Sequence, residues 1–157
     1  MTVRVAESAG FCFGIECAVR TVYEQLEKKV PVYTFGPITH NEIVCSELEE
    51  KGVRIINDVC EATDIHDSII IIRSHGVSEK EYLKLKSTEE SGNNTIIDAT
   101  CPFVGRIHKI VSEESGKGNS IIVIGDASHP EVQGISGWCK GKCTIIDSEE
   151  EAIDYKA

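Results

Sequence analysis

Ser68-Ile69-Ile70-Ile71-Ile72-Arg73, running on into Ser74-His75-Gly76, is the stretch that decides the architecture. A strand with one wet face alternates apolar and polar residues. A run that is apolar and β-branched at every position reads instead as a strand covered by helices on both faces, the situation of a parallel sheet. Working outward, further β-branched runs predict strands at Val3–Ala6, Val32–Phe35, Val53–Ile56, Asn94–Asp98, Ser120–Ile124 and Thr144–Asp147. Helical patterns fall between them. Ile15, Ala18, Val19, Val22 and Leu26 recur at helical spacing, and further helices are expected over Asn41–Lys51, Ser78–Glu90, Pro102–Ser115 and Pro130–Trp138. Pro102 and Pro130 suit a first helical turn, where a missing N–H is harmless. The expected class is α/β, built as repeated small parallel-sheet lobes.

The repetition is visible directly. Cys12 and Cys101 are 89 positions apart (101 − 12), and so are His40 and His129 (129 − 40). The same offset carries Gly36 onto Gly125, Glu42 onto Glu131 and Lys51-Gly52 onto Lys140-Gly141. Both copies read G-x-x-x-H-x-E-[IV], at Gly36–Ile43 and Gly125–Val132. The expected division is a first lobe over 1–97, whose N-terminal strand pairs elsewhere, and an incomplete second lobe over 98–157. The offset puts the counterpart of Ile69–Ile72 beyond residue 157 (157 − 89 = 68), so the chain is expected to be a fragment.

Composition narrows the function. The chain has 157 residues, 41% hydrophobic and 27% charged, with a formal net charge of −10. Such an acidic chain is a poor match for phosphate backbones, so nucleic acid is not expected as a partner. No apolar run approaches the roughly 20 residues of a membrane helix, and the N-terminus lacks a signal-peptide pattern. A cytoplasmic location is expected. Seven cysteines in such a chain point to metal binding or catalysis rather than disulfides. Zinc spacing is missing, since no C-x2-C pair occurs, and Cys139 and Cys143 form only an isolated C-x3-C pair.

In open parallel sheets, ligands gather beyond the carboxyl ends of strands, near helix N-termini. Cys12, in the loop Gly10-Phe11-Cys12-Phe13-Gly14, and Cys101, before Pro102, each follow a predicted strand and open a helix. His40, His75 and His129 each follow a strand as well. Cys17, Cys45 and Cys60 lie in or beside helices and read as packing residues, and His66 and His108 as surface or satisfied core residues. Thiolates drawn from separate lobes without zinc spacing suit an iron–sulfur cluster. Three imidazoles suit an anion such as a diphosphate, with affinity expected to rise as pH falls through about 6.5. Glu131, two residues after His129, is placed to deliver protons.

Gly10–Gly14, Ile38-Thr39-His40-Asn41, Ser74-His75-Gly76-Val77-Ser78, Asp98-Ala99-Thr100-Cys101-Pro102 and His129-Pro130-Glu131-Val132-Gln133-Gly134, in that order along the chain, resemble the 4-hydroxy-3-methylbut-2-enyl diphosphate reductase (LytB) family. The resemblance implies an oxidoreductase of non-mevalonate isoprenoid biosynthesis. It implies three pseudo-symmetric α/β lobes around a 4Fe-4S cluster, each lobe giving one cysteine. Cys12 and Cys101 would then be metal ligands, the third cysteine lying outside this chain. His40, His75 and His129 would bind the substrate diphosphate, and Glu131 would relay protons. The implied partners are a small diphosphate substrate and an electron donor such as ferredoxin or flavodoxin, with no membrane. Alone, the fragment is expected to be inactive. The competing reading is a metal- or cluster-binding module completed by dimerisation or a partner chain.

Overall fold

Parallel strands need a crossover between them, and the chain supplies a helix for each. The computed structural model describes residues 2–7 and 9–155. In chain order these form α1 (Phe13–Leu26), β1 (Val32–Phe35), α2 (Glu42–Glu50), β2 (Arg54–Ile56), α3 (Val59–Thr63), β3 (Ile69–Ile72) and α4 (Glu79–Ser91). There follow β4 (Thr95–Asp98), α5 (Pro102–Gly116), β5 (Ile121–Ile124), α6 (Pro130–Ser136), β6 (Cys143–Ile146) and α7 (Glu149–Asp154). The strands make two parallel sheets, ordered β2-β1-β3-β4 and β5-β6.

The four isoleucines of β3 divide between two cores. Ile69 and Ile71 pack with Ala18, Val22 and Leu48 from α1 and α2. Ile70 and Ile72 pack with Val59, Ala62 and Leu85 from α3 and α4. All four are at most 4% exposed, so the uninterrupted apolar run reports two covered faces. Each buried isoleucine contributes about 1.5–3 kcal/mol. The buried stripe of α1 is Gly14, Ala18, Val22 and Gln25, with Ile15, Val19 and Leu26 on its half-buried flanks. Small residues at its centre let the helix approach the sheet more closely than the expected stripe would.

The repeat reappears as matched elements. Helix α5 starts 89 positions after α1 (102 − 13), and β5 starts 89 after β1 (121 − 32). Helices α3 and α7 escaped the sequence reading, although both carry a signal. Asp58 and Glu61 form a capping box ahead of α3, and Ser148 accepts from the Glu151 N–H at 3.2 Å ahead of α7.

Val3–Ala6 is not a strand. It has no ladder partner among the described residues, and Val3 and Val5 are 79% and 80% exposed. β-Branched composition marks a segment able to pair, and pairing still requires a neighbour. Strand β4, which leads into Cys101, does have one: it pairs with β3 as far as Asp98↔Ile72, inside the first sheet. Among the described residues no helix is long and apolar enough to cross a membrane.

Candidate functional site: three imidazoles and two helix-opening thiols

The loops that leave the carboxyl ends of the strands are tied to one another. Ser74 Oγ donates to the Ile38 carbonyl at 3.1 Å, and the Ser74 carbonyl accepts from the Cys101 N–H at 2.9 Å. One buried serine thereby joins the loop bearing His40, the loop bearing His75 and the turn bearing Cys101. The His40 loop is fixed further by Asn41, whose side chain caps α2 by accepting from the Val44 N–H at 3.2 Å. After His75, Gly76 turns the chain with φ +71, a conformation that glycine adopts without strain. Ser78 then opens α4 through a capping box with Glu81.

These constraints bring His40, His75 and His129 together. Ring centroids are 4.6 Å apart for His40 and His75, 5.5 Å for His40 and His129, and 5.9 Å for His75 and His129. Two rings come from the first copy of the repeat and one from the second. His129 caps α6, its Nδ1 accepting from the Glu131 N–H at 3.2 Å. The acceptor role of Nδ1 leaves the proton of the neutral ring on Nε2, where it can donate to a ligand.

The electrostatics concentrate on His75. Burial first, then the neighbouring His40, Arg73 and His129, push its pKa down to about 4. The pH threshold expected for this ring, about 6.5, therefore does not hold for His75, first because the ring is buried and then because His40, Arg73 and His129 crowd it. The Arg73 guanidinium packs against Gly36 at the end of β1, with Nε buried and without a hydrogen-bond partner. Burial lowers the Arg73 pKa, with Glu81 opposing. An anion among these groups would offset their mutual repulsion.

The two thiols each stand at a helix start. Cys12 and Cys101 occupy the N-cap positions of α1 and α5, and neither makes a side-chain capping hydrogen bond. A Cβ built on Gly14 would lie 2.6 Å from Cys101 Sγ, so the second copy's thiol rests on the first turn of the first copy's helix. Glu131 is half-buried in the first turn of α6. Cys17 and Cys45 sit within α1 and α2, and Cys45 Sγ donates to the Thr39 carbonyl at 3.2 Å. Cys60 is exposed rather than packed. His108 departs from its expected role too. It is 6% exposed, yet Nε2 has no hydrogen-bond partner. Sequence reasoning missed Ser74 and Arg73. Their position beside His75, at the end of a fully buried strand, was the available signal.

Comparison with known proteins follows this geometry. A 4-hydroxy-3-methylbut-2-enyl diphosphate reductase of Caldanaerobacter subterraneus subsp. tengcongensis is 46% identical over 156 residues, 97% of this chain and 52% of that relative. One of the same name from Clostridioides difficile is 42% identical over 152 residues, 96% of this chain and 52% of the relative. The chain thus spans about half the length of the curated relatives it matches. Among solved structures, the E-1-hydroxy-2-methyl-but-2-enyl-4-diphosphate reductase from Plasmodium falciparum superposes with a TM-score of 0.86 at 32% identity, covering 96% of this chain and 46% of that one. A second, titled (E)-4-hydroxy-3-methyl-but-2-enyl diphosphate reductase, the terminal enzyme of the non-mevalonate pathway, gives a TM-score of 0.76 at 33% identity, covering 95% and 52%. The family model described as LytB protein matches residues 3–157, and the chain belongs to that family.

Proposed function

We propose that this chain supplies part of a site for the reductive dehydroxylation of 4-hydroxy-3-methylbut-2-enyl diphosphate to isopentenyl and dimethylallyl diphosphate. The observation that carries the reading is the convergence of His40, His75 and His129, with centroids 4.6–5.9 Å apart, from both copies of the repeat. In this reading 1–97 is one lobe and 98–157 part of a second. On that reading, the site takes His40 and His75 from the one and His129 from the other.

Cys12 and Cys101 fit an iron–sulfur cluster as two of its ligands. Their thiols cap helix N-termini without a hydrogen bond of their own, and Gly14 leaves room for the Cys101 sulfur. When bound, such a cluster supplies electrons and an iron able to act as a Lewis acid. A 4Fe-4S form would draw its third cysteine from outside this chain. The electrons would come from a donor such as ferredoxin or flavodoxin.

The chain's own residues bind and protonate. His129 presents Nε2–H to a diphosphate oxygen, held in that tautomer by the Glu131 N–H on Nδ1. An anion beside His75 raises the pKa of its ring, which burial and the neighbouring groups depress, because opposite charge favours the charged form. His40 closes the trio. Glu131, two residues beyond His129, is placed to relay protons. As two electrons enter and the C–O bond breaks, one proton leaves with the hydroxyl as water and a second goes to an allylic carbon, giving the two products. The test is to reconstitute the chain anaerobically with iron and sulfide, supply dithionite and a dye mediator, and assay for product. Turnover is expected only when the C-terminal half of a full-length relative is added in trans. No turnover with both halves present, under conditions where the relative is active, would overturn the reading.

A further inference from the structure

His108 lies on α5, 33 positions after His75 and 21 before His129 (108 − 75, 129 − 108), and touches the supports of both. One face of its ring stacks on Trp138, centroids 5.5 Å apart and planes at 21°. Trp138 is itself anchored, its Nε1–H donating to the Val77 carbonyl at 2.8 Å. Around the imidazole lie two glycines. A Cβ on Gly76 would be 2.5 Å from His108 Cε1, and a Cβ on Gly134 would be 3.6 Å from His108 Nε2 and equally 3.6 Å from the His75 carbonyl oxygen. Gly76 immediately follows His75, and Gly134 lies in the short helix that His129 caps. The ring therefore occupies the gap between the loop that carries His75 and the helix that carries His129.

Its polarity is not what holds it there. Nε2 is buried without a partner, a loss that in such sites runs to about 1–3 kcal/mol. Burial also lowers its pKa, with Asp98 opposing, so the ring is a neutral slab. Beside it is a cavity of about 560 Å³ lined by Tyr82, Asp98, Thr100, Ser112 and Trp138 among others. Removing the ring would join its volume to that cavity and leave the Gly76 turn unsupported.

We propose that His108 is a positioning residue whose ring, held between Trp138 and the glycines Gly76 and Gly134, sets the spacing of His75 and His129. The inference deepens the anion-site reading, and its affinity arm rests on that reading. Its spectroscopic arm does not.

The test follows the imidazole nitrogens of His75 by NMR against pH and measures inorganic pyrophosphate binding by calorimetry. In His108→Ala the His75 ring is expected to titrate about one unit or more above its wild-type value, as repulsion and burial relax, and pyrophosphate at pH 7 to bind about tenfold more weakly, equivalent to about 1.4 kcal/mol. His108→Phe, which keeps the slab, should restore both. Val22→Ala, a truncation in the other core, which holds neither Val77 nor Tyr82, should lower the Tm and leave the His75 titration in place, separating positioning from general destabilisation. If His108→Ala does not fold, Trp138→Phe should move His75 in the same direction by a smaller amount. An unmoved His75 in whichever of these variants folds, or a Phe variant that behaves like the Ala variant, would overturn the proposal. If wild type binds no pyrophosphate while His108→Ala still shifts His75, the anion reading falls and the positioning role stands.

Discussion

The two copies of the repeat share an element order and differ in what covers them. In the first, β1 lies between β2 and β3, and three of its four residues are buried. In the second, β5 pairs only with β6, and Ile122 and Ile124 are 46% and 83% exposed. Local sequence is sufficient to make the strand, the helix and the turn in both places. Burial is a property of neighbours, which the second copy has on one edge only among the described residues. The half of the site furnished by the first copy therefore stands on a finished core, and the half furnished by the second is held mainly by its contacts with the first. Those contacts include Trp138 on Val77, Lys140 paired with Glu79, Cys101 bonded to Ser74, and His108 against Gly76.

The largest expected effect tests that contrast directly. Ile71→Ala empties a position at 0% exposure and should lower stability by about 2–5 kcal/mol. Ile124→Ala, at an exposed position of the repeated fold, should change it by no more than about 0.5 kcal/mol. Denaturant titration of both variants measures the difference. Comparable losses would mean that the second sheet is covered in solution.

Next in size is the junction of the two Cys-opening helices. Gly14→Ala would place its Cβ against Cys101 Sγ and should destabilise by about 1–3 kcal/mol through overpacking. Gly105→Ala in α5 meets nothing within 4 Å and should be neutral or stabilising by up to about 1 kcal/mol. A tolerated Gly14→Ala, seen in the same titration, would show that the two helix starts are further apart than described here.

The third prediction concerns His75, whose pKa in the folded chain is depressed to about 4. The unfolded chain binds the proton more readily, so the stability this ring contributes is present above pH about 6.5 and is lost as pH falls toward 4. On the proposed reading, a bound diphosphate would raise the folded value. Pyrophosphate affinity should therefore increase as pH falls from 7 toward 4, by at most about tenfold per unit for one proton, with proton uptake detectable by calorimetry in buffers of different ionisation enthalpy. Binding without proton uptake across that range would remove His75 from the site.

The smallest effect again sets copy against copy. Asp58→Ala removes the capping box of α3, which buries Val59 and Ala62, and should lower stability by about 1 kcal/mol. Ser148→Ala uncaps α7, which buries none of its residues, and should lower it by a few tenths. Equal losses would place α7 against a core.

Much of this was legible beforehand because the signals are local. The isoleucine run announced a doubly covered strand, and the offset of 89 announced two copies, which the structure repeats in α1 with α5 and β1 with β5. The histidines were readable as candidates since each follows a strand. Their distances were not readable, because they depend on Ser74, Gly76 and Trp138 bridging segments far apart in sequence. Val3–Ala6 forms no ladder among the described residues, since propensity is local, whereas a ladder needs a neighbour. The depressed pKa of His75 lay equally out of reach, since it comes from burial first and then from His40, Arg73 and His129, which the fold brings together.

The central claim is that both copies build one anion site. Its most direct test is to titrate the 15N-labelled chain with inorganic pyrophosphate at pH 6 and follow the imidazole signals of His40, His75 and His129. The account predicts that all three shift along one saturation curve with a stoichiometry of one, and that His129→Ala weakens the response of His40 and His75 together. If His40 and His75 respond unchanged without His129, or if the three rings saturate at different concentrations, the site is not shared between the copies and the account is wrong.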